Sequence, residues 1–243
     1  MARIPESLRA LLSRLIDYAG LYPPAALPLS EVREKYLGYL ASPESWMLNR
    51  IVLPVSRLAE AAPGADWRVT LLVEDEPGQM PACVESLETR QARKLSLPTY
   101  CEAALESIPA GAFAKVRTGG PTADAIPPAD AVAEFLCAAA ARRLPFKATA
   151  GLHHPIRSVM HGFINVFAAA VFAWGGADRA LVLNILNDGE PDSFRFHDDA
   201  MLWQGRAVST SAMRAARKDF AHSFGSCSFE EPLADLRELG WLA

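Results

Sequence analysis

The sequence predicts one (β/α)8 barrel of the TIM type over residues 1–243, irregular in its last third, and three observations carry that expectation. Short apolar, β-branched runs alternate with helical stretches through six successive units, the pattern of parallel βα repeats. The 243 residues match the usual length of a complete barrel of this kind. No GxGxxG or GxxxxGK[ST] is present, so the doubly wound sheet lacks its glycine-rich fingerprint.

Residues 6–16 place Leu8, Leu11, Leu12 and Leu15 on one helical face, a capping helix. Residues 17–22 read as the first strand and its loop, and 29–40 as the first outer helix. Residues 50–55 form the second strand, followed by a short helix at 57–62. The third strand, 67–73, ends at Glu74-Asp75-Glu76, and 80–90 reads as its helix. A weaker fourth strand, 94–100, precedes a helix at 101–107. The fifth strand, 113–116, is followed by a proline-rich loop at 121–128 and a helix at 129–142. The sixth, 146–152, is backed by an apolar helix at 160–174. Beyond it, 180–187 reads as helix or strand and 194–196 as the seventh strand. A helix at 211–222, an eighth strand at 224–229 and a last helix to Leu239 complete the barrel.

Hydrophobic residues make up 51% and charged residues 21%, enough apolar surface for a large core. The net charge of −4 argues against a nucleic-acid or anionic-membrane surface, which wants a basic face, and points to a small-molecule partner. Arg9, Arg14 and Asp17 interrupt the early hydrophobic run, so the sequence predicts no secretory leader and a cytoplasmic location. The most apolar stretch, 162–174, is about 13 residues, short of the roughly 20 that span a bilayer. Cys83, Cys101, Cys137 and Cys227 form no CxxC pair and read as reduced thiols. Nothing calls for a cofactor, and a homo-oligomer is left open.

In this fold, polar side chains at the carboxyl ends of strands converge on one face. Alternation puts Lys115 and Arg117 on one side of the fifth strand, and Lys147, Thr149 and Gly151 on one side of the sixth. With the apolar alternates facing the helices, these cations enter the barrel, where they need carboxylates or an anionic ligand. Glu74 and Glu102, at the ends of the third and fourth strands, are the expected partners. An internal salt-bridge network is one outcome. Two lysines and an arginine against two acids favour the other, a substrate anion completing the charge balance. A desolvated Lys147 beside Lys115 would have a lowered pKa and serve as a nucleophile or electrostatic stabiliser.

Lys147-Ala148-Thr149-Ala150-Gly151 resembles the Lys-x-[Ser/Thr]-x-Gly strand of the deoxyribose-phosphate aldolase group, whose lysine forms a Schiff base. That resemblance covers five residues, and the second lysine here lies on the preceding strand rather than the following one. Residues 147–155, Met160-His161-Gly162-Phe163 and 223–232 resemble a family of uncharacterised bacterial proteins over most of the chain, which brings no activity with it.

The leading expectation is therefore an aldolase- or lyase-like enzyme for a small anionic carbonyl, sugar-acid or sugar-phosphate compound. Lys147, Lys115, Glu102 and Glu74 are its expected catalytic groups. Arg117, Thr149, His153, His154, Ser226 and Ser228 are the expected substrate contacts, with Ser226 and Ser228 in an anion-cradling segment around Gly225. The alternatives are a metal-dependent lyase, isomerase or hydrolase using His153, His154 or His161 with nearby glutamates, and a non-catalytic ligand-binding barrel.

Overall fold

The structure, a computed structural model, describes residues 3–120 and 122–242; Pro121 of the expected proline-rich loop lies outside them. Seven strands come first: β1 (Ile16–Tyr18), β2 (Leu48–Pro54), β3 (Val69–Leu72), β4 (Val84–Thr89), β5 (Thr99–Cys101), β6 (Phe113–Arg117) and β7 (Phe146–Thr149). An antiparallel set follows, β8 (Phe194–Phe196), β9 (Ala200–Trp203) and β10 (Arg206–Ser209), and then β11 (Ala221–Ser226). Strands β1 to β7 and β11 close a parallel barrel in the order β1-β11-β7-β6-β5-β4-β3-β2. Around it stand α1 (Glu6–Leu12), α2 (Leu29–Leu40), α3 (Leu58–Ala61), α4 (Ala129–Ala141), α5 (Phe163–Trp174), α6 (Arg179–Asn187), α7 (Thr210–Asp219) and α8 (Glu230–Glu238). Among the described residues no helix is long and apolar enough to cross a membrane.

The eightfold barrel is as expected, but its membership differs in two places. Residues 84–89, expected inside a helix, are barrel strand β4. Met80, Cys83, Val84 and Leu87 have helical spacing, yet Pro77, Gly78 and Pro81 stand in the segment and break a helix there. The pairing with β3 also shifts register between Val69 and Thr70, so the extra residue Glu85 disrupts the alternation that would mark a strand. Residues 194–196, expected as the seventh barrel strand, instead pair antiparallel with β9 in a side sheet. Gln204 and Gly205, both at positive φ, make the two-residue turn that joins β9 to β10. The expected helix at 101–107 shrinks to one 3-10 turn, Leu105–Ser107. As a result β3, β4, β5 and β6 follow one another through loops, and helices back the rest of the barrel.

Apolar side chains between barrel and helices form the core. Phe163 stacks on Phe224 of β11 at 5.3 Å, and Phe146 of β7 lies between Phe167 and Phe220. Residues 163–173 of α5 are all buried, because α4, α6, α7 and β11 enclose that helix. Burying each such phenylalanine contributes about 1.5–3 kcal/mol. Asn165, the one polar residue in that run, donates to Ile185 O and Asp188 O and accepts from Arg157 N–H, so its burial is compensated.

At the carboxyl face the loops after β6 and β7 cross with no side chain between them. A Cβ on Gly119 would stand 2.8 Å from Gly151 Cα, and one on Gly151 2.8 Å from Gly119 Cα, with Gly151 at φ +77°. Thr118 Oγ1 donates to Ala150 O at 2.6 Å and fixes the crossing. Gly119→Ala is expected to lower stability by roughly 1–3 kcal/mol through this overpacking. A urea midpoint unchanged from wild type would show that the loops can separate freely.

Candidate functional site

The barrel interior holds a chain of alternating charges. Lys115 and Lys147 are register partners on β6 and β7, and Ser223 on β11 aligns with Lys147, so the three form one inward layer. Lys147 Nζ lies 2.5 Å from Asp17 Oδ2 on β1 and also contacts Glu88 Oε1 on β4. Those strands are two and three places away around the barrel, so both contacts run through its interior rather than between neighbouring strands. Lys115 Nζ bridges Glu88 Oε2 at 3.3 Å and Glu102 Oε2 at 2.9 Å, and Arg117 Nη1 reaches Glu102 Oε1 at 3.5 Å. Side-chain exposure rises along this series, 0% for Asp17, 1% for Lys147, 4% for Glu88, 7% for Lys115, 23% for Glu102 and 49% for Arg117. The chain therefore runs from a dry core to the open carboxyl face.

Asp17 anchors the closed end. Its carboxylate accepts from Asn49 Nδ2 at 2.7 Å, Ser223 Oγ at 2.7 Å and Arg50 N–H at 3.2 Å. Beneath it Glu85, the bulge residue of β4, takes Arg50 and Arg68, each at 2.9 Å. Burial alone would push the Asp17 carboxyl up, but Lys147 and Arg50 hold it below the usual carboxylate range. Burial would likewise weaken the Lys147 ammonium, but Asp17 and Glu88 outweigh it and raise its pKa above the ordinary lysine value. The Glu102 carboxyl, pushed up by partial burial, is brought below its ordinary value by Lys115 and Arg117.

Two expectations are corrected by this arrangement. Three acids, Asp17, Glu88 and Glu102, match the three cations Lys147, Lys115 and Arg117, so no charge surplus calls for an anion. Lys147 is not a depressed-pKa amine poised to attack a carbonyl; it is a dry ammonium pinned between two carboxylates, and nearby Lys115 is itself neutralised by Glu88 and Glu102.

Glu74, expected as a partner of the lysines, lies exposed beyond the end of β3, and its carbonyl meets Arg93. Glu88 holds the position foreseen for it. Thr149, partly buried, is the register partner of Arg117 at the mouth. His153 and His154 lean away toward α8: His153 Nδ1 meets Glu231 at 3.0 Å and His154 Nδ1 meets Asp235 at 2.6 Å. His161 is buried, its Nε2 on Pro127 O at 2.8 Å and its Nδ1 on Arg157 at 3.0 Å, with burial pushing its pKa down. Among the described residues no three His, Cys, Asp or Glu side chains are grouped to hold a metal ion. Ser226 Oγ accepts from Ser228 N–H, and Ser228 Oγ caps Glu231 N–H at the start of α8, so both oxygens serve the local turn.

Tyr22 joins the site from the loop after β1. Its hydroxyl is buried without a hydrogen-bond partner among the described residues, and burial together with the Glu88 charge raises its pKa, against the pull of Lys147. Tyr100 of β5 also borders Lys147, its ring 5.6 Å from Lys147 Nζ and its hydroxyl 2.8 Å from His222 Nδ1 near the start of β11. No family model, curated protein or solved structure matches this chain.

Proposed function

We propose that the chain is an enzyme that moves a proton on a small anionic carbonyl or sugar-acid compound, with lyase- or isomerase-like chemistry. The observation that supports it is the graded charge chain opening at the carboxyl face, where barrels of this type place catalysis. Glu102, half-buried and ionised at neutral pH, takes the proton from the carbon beside the substrate carbonyl. The electron pair moves onto the carbonyl oxygen, which Lys115 meets with its ammonium, and the proton is returned from Glu102 to complete the turnover. Arg117, weakly held and exposed, pairs with the anionic group. Lys147 serves as a fixed electrostatic stabiliser through Glu88 and forms no imine.

The test is proton exchange in D2O with a pool of small keto acids and sugar phosphates, read by NMR as loss of the C–H signal. Wild-type protein is expected to exchange at least one compound, and Glu102→Gln to slow it by about 10²–10⁴-fold. Exchange that persists in Glu102→Gln, or its absence across the pool, sinks the reading. Borohydride is expected to leave Lys147 unmodified with the same pool, and a trapped adduct there would restore the Schiff-base lysine.

A further inference from the structure

A cleft of about 390 Å³ opens at the carboxyl ends of β1 and β2, on the face where the charge chain reaches solvent. Its lining is mixed: Leu21, Leu27, Pro28 and Pro54 give it an apolar side, polar surface makes up nearly as much, and a volume near the lower end for small-molecule sites suits a compact group. Its two ionic residues cancel: Arg57 is doubly bonded to Glu60, at 2.6 and 2.9 Å. The cleft thus carries no net charge to call for an ion, and its apolar side can take an uncharged body.

Tyr22 connects this cleft to the charge chain. Tyr22 is part of the cleft lining at the carboxyl face on which the charge chain opens, and its hydroxyl is buried with no hydrogen-bond partner among the described residues, within the influence of the Glu88 and Lys147 charges. The loop that carries it is fixed, since Tyr22 N–H donates to Ala19 O at 2.9 Å and Tyr22 O accepts from Ala26 N–H at 3.0 Å. The hydroxyl has no partner to lose, so the side chain can turn without breaking a hydrogen bond. A buried hydroxyl left unpaired is costly, and a ligand oxygen would relieve that cost.

We propose that the cleft receives the apolar body of the substrate while Tyr22 donates its hydroxyl to the substrate's carbonyl or carboxylate oxygen. The substrate class is then a keto acid with an aryl or branched-alkyl body. This rests on the charge chain being the reaction site, as proposed above.

The experiment compares phenylpyruvate with pyruvate, which lacks the body, by ligand-observed NMR titration of the full chain. Phenylpyruvate is expected to bind at least about tenfold tighter, the factor one buried apolar group supplies. Leu27→Trp and, independently, Leu21→Trp fill the cleft and are expected to erase that advantage. Tyr22→Phe is expected to weaken both ligands while raising the melting temperature by roughly 2–4 °C, because the unpaired hydroxyl is gone. Equal affinities, no binding of either compound, an advantage that survives both tryptophan variants, or a Tyr22→Phe protein that melts lower each overturn the proposal. A phenylpyruvate preference that persists with affinity unchanged in Arg117→Ala supports the cleft and overturns the charge-chain reading instead.

Discussion

Lys147→Met is expected to destabilise the protein by roughly 3–5 kcal/mol, because it leaves Asp17 and Glu88 buried around a missing cation. At about 2–4 °C per kcal/mol for a chain of this size, the melting temperature should fall by roughly 6–20 °C. A pH dependence should appear as well. In the wild type the depressed Asp17 pKa contributes stability that is present above the ordinary value of 3.8 and lost as pH falls through the folded value. The raised Lys147 pKa contributes stability that is full below the ordinary 10.5 and lost as pH rises through the still higher folded value. Between those limits the wild type should be nearly indifferent to pH through this pair. In the variant Glu88 keeps its contact with Lys115 but Asp17 is buried without a cation on its carboxylate, so the Asp17 carboxyl shifts upward and stability should fall as pH rises from about 5 to about 8. Urea unfolding at both pH values reads this directly. A variant with the wild-type midpoint and no pH dependence would show that water reaches these carboxylates.

The second large effect is expected at the opposite end of the barrel. Arg217, in the last turn of α7, is buried and donates to Leu11 O at 2.8 Å, Ser13 O at 3.0 Å, His222 O at 2.6 Å and Ala221 O. Its guanidinium also lies 5.2 Å over the Phe167 ring. The first two carbonyls belong to the end of α1, where the helix dipole favours a cation, and the other two to the start of β11. Hydrogen bonds to charged groups are worth about 1.5–3 kcal/mol, and orphaned carbonyls add to the loss, so Arg217→Met should cost about 4 kcal/mol. Arg217→Lys should recover only part, since an ammonium lacks the planar fork that reaches four acceptors. Thermal melts of both variants decide it; equal stability of the lysine variant and wild type would reduce the site to a single charge contact.

The barrel was legible where strand and helix periods agree with their flanks. Residues 113–116 and 146–152 combine apolar alternates with helices after them, and both became barrel strands, the second ending earlier, at Thr149. Residues 84–89 were not legible, because the bulge at Glu85 shifts their alternation while Met80, Cys83, Val84 and Leu87 mimic a helical face. That one misreading also hid Glu88, which no argument about strand ends could place while its segment was taken for a helix. Glu74 was chosen in its stead by sequence proximity to a strand end, but β3 stops at Leu72 and the chain has already turned outward. Lys115, Arg117 and Lys147 came from parity alone and do meet inside. Asp17 stands out in the sequence only as an interruption of the early hydrophobic run, and its contact with Lys147, 130 residues away, is set by barrel closure. Tyr22 carried no signal beyond standing in a loop after the first strand.

The run of loop-linked strands from β3 to β6 divides the charge chain mechanically. Glu88 and Glu102 sit on β4 and just after β5, the flank that no intervening helix braces, whereas Lys147 sits on β7 between the sequence neighbours α4 and α5. Asp17, the innermost acid, is pinned by four donors from β1's own neighbours and from across the barrel. Elements with few helical supports open at lower free energy than those clamped in a packed layer. The acids nearest the mouth therefore ride on the compliant arc of the wall and Lys147 on the stiff one. Under the function proposed above, an arriving anion would not need to drag a lysine out of the core: a carboxylate drifting outward would admit it, the barrel yielding on one side while its positive centre stays where it is.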